Sequence, residues 1–93
     1  MSDKAQSDLY SIFEHYKSKT GEDKAHDIVR ELLSKLDDLK VFPAMGRASQ
    51  VPDVRELVFT FIPFLAPYRL NVPTDTVEVI RILHQRTERP QDW

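Results

Sequence analysis

The chain contains no cysteine, which rules out disulfide staples, thiolate zinc sites and a cysteine nucleophile. It has no apolar run near the ~20 residues needed to cross a bilayer. Its opening residues, Met1 to Gln6, lack the apolar core of a signal peptide. A cytoplasmic protein with no membrane partner is expected. A basic excess is missing as well: 13 Lys and Arg against 15 Asp and Glu give a net charge of −2 and a pI of about 5.9. Domains that grip nucleic acid through its phosphates carry the opposite balance, so direct DNA contact is expected only through a partner. His15 and His26 have no metal-ligand spacing to each other or to His84. They read as surface histidines, and neither a metal nor another cofactor is expected.

What is present describes an ordinary folded domain. Ninety-three residues, 41% apolar and 30% charged, form one unit over 1–93, near the lower size at which a single core suffices. The cations are segregated by type. All six lysines and Arg30 lie in residues 1–46, and the other six arginines lie in residues 47–93. Lysine is a flexible, solvated charge, whereas arginine offers a planar fork for carboxylate or phosphate. The second half is therefore the better candidate for specific recognition.

Leu9, Ile12, Phe13 and Tyr16 repeat at helical spacing and predict a first helix over about 3–16. The polar stretch Lys17–Gly21 reads as a linker, with Thr20 and Asp23 as a weakened capping box for the next helix. Ala25, Ile28, Val29, Leu32, Leu33, Leu36 and Leu39 predict that second helix over about 22–40, ending before Pro43. Two such helices form an antiparallel hairpin. Residues 43–54 read as a loop. Three strand-like runs come next, at about 55–62, 65–71 and 77–83. The expected architecture is α+β: an N-terminal antiparallel helix hairpin packed on a C-terminal antiparallel sheet of three strands. Pro67 cannot donate a ladder hydrogen bond, so a bulge or local edge is expected beside it. The last run is apolar on both alternating faces, with Val77, Val79 and Leu83 on one and Ile80 and Ile82 on the other. It therefore needs cover from a second side, supplied by the tail, another subunit or a partner peptide.

The runs Arg55-Glu56-Leu57-Val58, Pro67-Tyr68-Arg69-Leu70 and Val77-Glu78-Val79-Ile80-Arg81-Ile82-Leu83-His84 resemble the RelE/ParE superfamily of toxins from type II toxin–antitoxin systems. Its members show Arg-Glu-Leu, Tyr-Arg-Val and Ile-Leu-Arg-Val-Leu-His at similar spacings. Phe42-Pro43-Ala44-Met45-Gly46-Arg47 is similar to the family's turn between helix and sheet, and Ala5…Asp8-Leu9 is similar to its first helix. The family normally begins with a β-strand, and Met1 falls where that strand should end. The missing strand would leave an edge able to accept a strand from an antitoxin or a second copy.

The resemblance implies one of two activities. RelE-like members cut messenger RNA on the ribosome, and ParE-like members poison DNA gyrase without being nucleases. RNA cleavage needs a base, an acid and cations for the phosphorane. RelE-like toxins are basic, with lysines in the loop before the second strand. Here that loop offers only Arg47, and the central positions hold Phe59, Thr60 and Phe61. The ParE-like reading is therefore favoured, with no catalytic residues, a cognate antitoxin and gyrase as partners, and roles in plasmid maintenance or stress response. The alternative is a ribosome-dependent endoribonuclease using Arg81, His84 and Arg86. Residues expected at the target or antitoxin surface are Arg55, Tyr68, Arg69, Arg81, His84, Arg86 and Trp93. The antitoxin would lay apolar side chains along the helix stripes and meet Arg69, Arg81 or Arg86 with its acids. For several residues a purely structural role is also open. Tyr68 would pack, Arg81 would pair with a carboxylate such as Glu56, and His84 would cap or pack at the strand end. Arg69 and Arg81 are either cross-strand neighbours around an anion or separately solvated in another register. Trp93 is either a free end or an anchor over the sheet's bare face. A homodimer or a toxin–antitoxin hetero-oligomer is compatible with all of this.

Overall fold

A computed structural model describes residues 1–89 of the chain. Two helices come first, α1 over Asp3–Thr20 and α2 over Glu22–Asp38. Ser2 starts α1 by accepting the Ala5 N–H on its Oγ at 3.1 Å, and Asp3 suits the positive end of the helix. The helix runs a turn past the expected Tyr16. Lys17 and Lys19 complement its negative end, and Thr20 Oγ1 donates back to Tyr16 O at 2.8 Å. Thr20 thus finishes α1 and does not cap α2. The linker is the single residue Gly21, at φ +92°, where only glycine is unstrained. Its N–H closes α1 on Lys17 O, and its carbonyl accepts the Ala25 N–H at the start of α2. Phe13 and His26 meet across this turn, ring centroids 4.8 Å apart, as a folded-back helix pair requires.

The sheet has five strands, where three were expected: β1 Arg47–Ala48, β2 Val54–Val58, β3 Phe64–Asn71, β4 Thr76–Val79 and β5 Leu83–His84. All pair antiparallel in the order β1-β2-β3-β4, with β5 beside β3 beyond the end of β4. The presumed loop contributes β1. The first predicted run stops at Val58, because residues 59–63 turn and Phe59 N–H bonds Phe64 O at 3.1 Å. The third predicted run is split into β4 and β5.

That split arises from Pro67. β3 is the central strand, flanked by β2 on one side and β4 with β5 on the other. Ile80 N–H donates to Pro67 O at 2.9 Å, but Pro67 has no N–H to return. The Ile80 carbonyl instead accepts the Ser2 hydroxyl at 2.6 Å. Pairing then resumes out of step. Tyr68 faces Val79, so an unbroken ladder would set Leu65 against Ile82, yet Leu65 faces Leu83. One extra residue is therefore accommodated opposite Ala66, which makes a β-bulge. The bulge expected at Pro67 exists, in the strand opposite it.

The bulge also reassigns faces. Strand side chains alternate, so a one-residue slip turns every later side chain to the other side. Val79 and Ile82, expected on opposite faces, share the helix-side core with Leu57, Phe59, Ala66 and Tyr68 and with Ala5, Ile12, Leu32, Leu36 and Leu39 of the helical segment. Leu83 lies on the far face with its partner Leu65, both buried. The tail contributes to that far face. Gln85 N–H bonds Pro63 O, Thr87 N–H bonds His84 O, and Arg89 comes back to Glu56. Trp93, the expected anchor, lies outside the described residues.

Candidate functional site

The residues singled out by sequence fall into two groups at different ends of the sheet. At the first, Tyr68 stands opposite Arg55 across β2 and β3. Its ring is 1% exposed, as its inward position in the central strand demands. Its hydroxyl donates to Pro43 O at 2.6 Å and accepts the Gly46 N–H at 2.9 Å. Arg55 grips the same turn from the neighbouring strand, with Nε on Gly46 O at 2.9 Å and Nη2 on Ala44 O at 3.3 Å. A Cβ on Gly46 would lie 2.7 Å from the Tyr68 ring and 2.8 Å from Glu56 O, so the turn can sit this close only with glycine. Tyr68 is therefore a structural post, and its hydroxyl is not at a rim open to a target.

Beyond this clamp lies a cleft of about 960 Å³, lined by Pro43, Ser49, Val51, Arg55, Arg69 and Val72 among others. Arg55 makes no ion pair with a carboxylate among the described residues, so carbonyl oxygens alone compensate its half-buried charge. Arg69 faces Glu78 in the β3–β4 register. That register overturns the possibility that Arg69 and Arg81 are cross-strand neighbours. Asn71 pairs with Thr76, so the hairpin is centred between Pro73 and Thr74 and not on Asp75, which sits at φ +52°.

At the other end, the bulge decides where Arg81 goes. Asp8, on the inner side of α1, takes Arg81 Nε at 2.7 Å and Nη2 at 3.0 Å. The same carboxylate accepts the Ile82 N–H at 3.0 Å, a donor that the bulge leaves without a ladder partner. Hydrogen bonding to Asp8 holds the Arg81 guanidinium above its ordinary pKa; burial opposes this and the charge of Asp8 adds to it. The expected carboxylate partner, Glu56, is elsewhere. His84 packs edge-on against Phe64 at 5.2 Å, and its Nδ1 accepts the Arg86 backbone N–H at 3.1 Å. That bond occupies the Nδ1 lone pair. The Arg86 side chain is exposed. Arg81 is thus committed to Asp8, and the three residues of the nuclease reading are divided between a helix tie, an aromatic contact and solvent.

The sequence reading missed the role of Glu56. It is 6% exposed in the middle of β2, on the face away from the helices. Arg47 Nε hydrogen-bonds Oε1 at 3.1 Å. Arg89 Nε lies 2.9 Å from Oε2 but without hydrogen-bond alignment, so that contact is mainly charge on charge. One buried carboxylate therefore ties β1 and the tail to the sheet. A glutamate inside a strand of Val and Leu was the available signal. The helix stripes proposed as an antitoxin groove are not open either, because Ile12, Leu32 and Leu36 are spent on the sheet-side core. Exposed apolar side chains lie elsewhere, among them Tyr10, Phe42 and Val72.

Comparison with known proteins agrees with this architecture. The family described as "ParE toxin of type II toxin-antitoxin system, parDE" matches residues 1–89. A curated protein of Sinorhizobium fredii (strain NBRC 101917 / NGR234), named "Putative toxin Y4kP", is 33% identical over 76 residues, covering 82% of this chain and 76% of that one. A solved structure titled "Chromosomal ParDE TA system from P. aeruginosa" superposes with a TM-score of 0.80 at 32% identity, covering 89% of each chain.

Proposed function

This chain belongs to the ParE toxins of type II toxin–antitoxin systems, and from that premise we propose that it inhibits DNA gyrase by protein–protein contact and is neutralised by a cognate antitoxin. The observation that carries the choice of target is the commitment of Arg81. The nuclease alternative, built on Arg81, His84 and Arg86, would need Arg81 free to share in stabilising the phosphorane. Here two nitrogens of that guanidinium are bound to Asp8. His84 has one nitrogen engaged by the Arg86 N–H, and no lysine lies between residues 47 and 93. The net charge of −2 also suits contact with a protein better than with ribosomal RNA.

In this reading Arg55, Arg69 and Arg86 meet acidic side chains of the target or the antitoxin, while Tyr68 and Arg81 hold the surface in shape. No helix of the described residues is long and apolar enough to cross a membrane, and the proposed place of action is the cytoplasm. Purified chain added to gyrase in a supercoiling assay, beside a translating ribosome extract, tests the target. Loss of supercoiling with intact messenger RNA is the expected outcome. Codon-positioned cleavage with normal supercoiling would assign the RelE-like activity instead.

A further inference from the structure

The outer edge of β2 is only half covered. β1 pairs Arg47 with Glu56 and Ala48 with Arg55. It goes no further, because Met45 turns its N–H to Phe42 O. Antiparallel pairing alternates the direction of backbone groups. Phe59 N–H bonds Phe64 O on the β3 side, whereas Val54 O accepts Ser49 N–H on the β1 side. The N–H and C=O of Val58 therefore point to the outer edge, past the end of β1. Neither has a partner among the described residues.

Beside these two groups runs a groove of about 410 Å³ whose walls include Lys35, Met45, Arg47 and Phe61. Met45 is 42% and Phe61 37% exposed. The groove is thus lined by apolar side chains and two exposed cations, with the buried Glu56 the one acid among them. Lys35 has no ion pair among the described residues. Arg47 shares its one acid, Glu56, with Arg89.

We infer that this edge receives an added strand from the antitoxin. The strand is extended, apolar at alternate positions that settle on Met45 and Phe61, and carries a carboxylate beside Lys35 and Arg47. Main-chain bonds to Val58 supply affinity, and the side-chain contacts supply selection. The identity of the partner rests on the toxin reading. A second copy of the chain is disfavoured, since two-fold pairing at this edge would set the same two cations against their counterparts.

The test uses the full chain and the product of the reading frame adjoining its gene. Amide hydrogen exchange on the free chain and on the complex should show the Val58 amide slowing on complex formation while the Phe59 amide is already protected. Val58→Pro removes only an outward N–H, so the internal ladder survives, and loss of one main-chain bond should weaken the complex by about tenfold. Lys35→Glu should weaken it with a reduced salt dependence. A complex in which Val58 exchange is unchanged overturns the strand addition and leaves the toxin reading standing. Protection of Val58 that grows with concentration of the free chain assigns the edge to self-pairing and overturns it equally. Absence of any complex removes the toxin–antitoxin reading and this inference together.

Discussion

Asp8 organises one end of the sheet from a single position on α1. It neutralises Arg81 and supplies the acceptor that the bulge denies to Ile82. Asp8→Ala should cost about 2–3 kcal/mol, since it strands both a charge and a half-buried N–H, and urea unfolding reads the loss. Because the carboxylate and guanidinium are partly solvated, a double-mutant cycle with Arg81→Met should return a coupling of about 1–2 kcal/mol, less than a fully buried pair. Gly46→Ala should cost about 1–3 kcal/mol by overpacking, because Tyr68 and Glu56 O already occupy the space. Tyr16 offers a pH test. Burial holds its phenol above the ordinary pKa, so its neutral form is favoured by folding. Above about pH 10 the unfolded chain ionises first, and stability falls as pH rises toward the folded value. Tyr16→Phe should leave neutral-pH stability nearly unchanged and flatten that alkaline slope in thermal melts. Of these residues, Tyr68 was legible in the sequence as packing. The partner of Arg81 was not, because Asp8 lies more than seventy positions away and nothing local marks it.

The helices and the order of the sheet are legible from periodicity, since regular apolar spacing survives whatever the tertiary context. Their ends are not. Thr20 looks like the cap of α2 and serves α1 instead, because Gly21 takes the turn alone. β1 has two residues and no apolar signal; only its pairing with β2 defines it. The register between β3 and β4 depends on the turn, and turn geometry at Val72–Asp75 is not fixed by composition. Pro67 is the exception, for a missing donor is a local fact with a long-range effect. Ser2 shows how far it reaches. Its hydroxyl caps α1 and also takes up the Ile80 carbonyl, so Ser2→Ala should cost about 1–2 kcal/mol, toward the upper end for a cap. The loss should appear as faster amide exchange at both the start of α1 and the end of β4.

For the molecule as a whole, the division between supporting and presenting residues makes toxicity and stability separable. Glu56→Gln leaves two arginines without their shared charge. It should lower stability by about 1–3 kcal/mol and free the tail before it affects the helix pair, as limited proteolysis near Arg89 would report. Arg86→Ala, at an exposed side chain, should leave the melting temperature within a degree or two and, on the proposed reading, weaken gyrase inhibition or antitoxin binding. If growth arrest tracks melting temperature across both variants, the surface reading of Arg86 fails. Sequence supplied the family. It could not name the carboxylates that hold Arg47, Arg81 and Arg89, because Glu56 and Asp8 meet them only in the folded chain.

The bulge opposite Ala66 makes the spacing between Val79 and Leu83 a carrier of information in its own right. Removing Ile80 would restore a continuous register with Ile82 still in the core and Leu83 still opposite Leu65, yet it would turn Arg81 to the far face, away from Asp8. The extra residue therefore serves the tie to α1 and not the packing of the core. Among descendants of this gene the length of the segment should be kept wherever the Asp8–Arg81 pair is kept, and should be lost together with it.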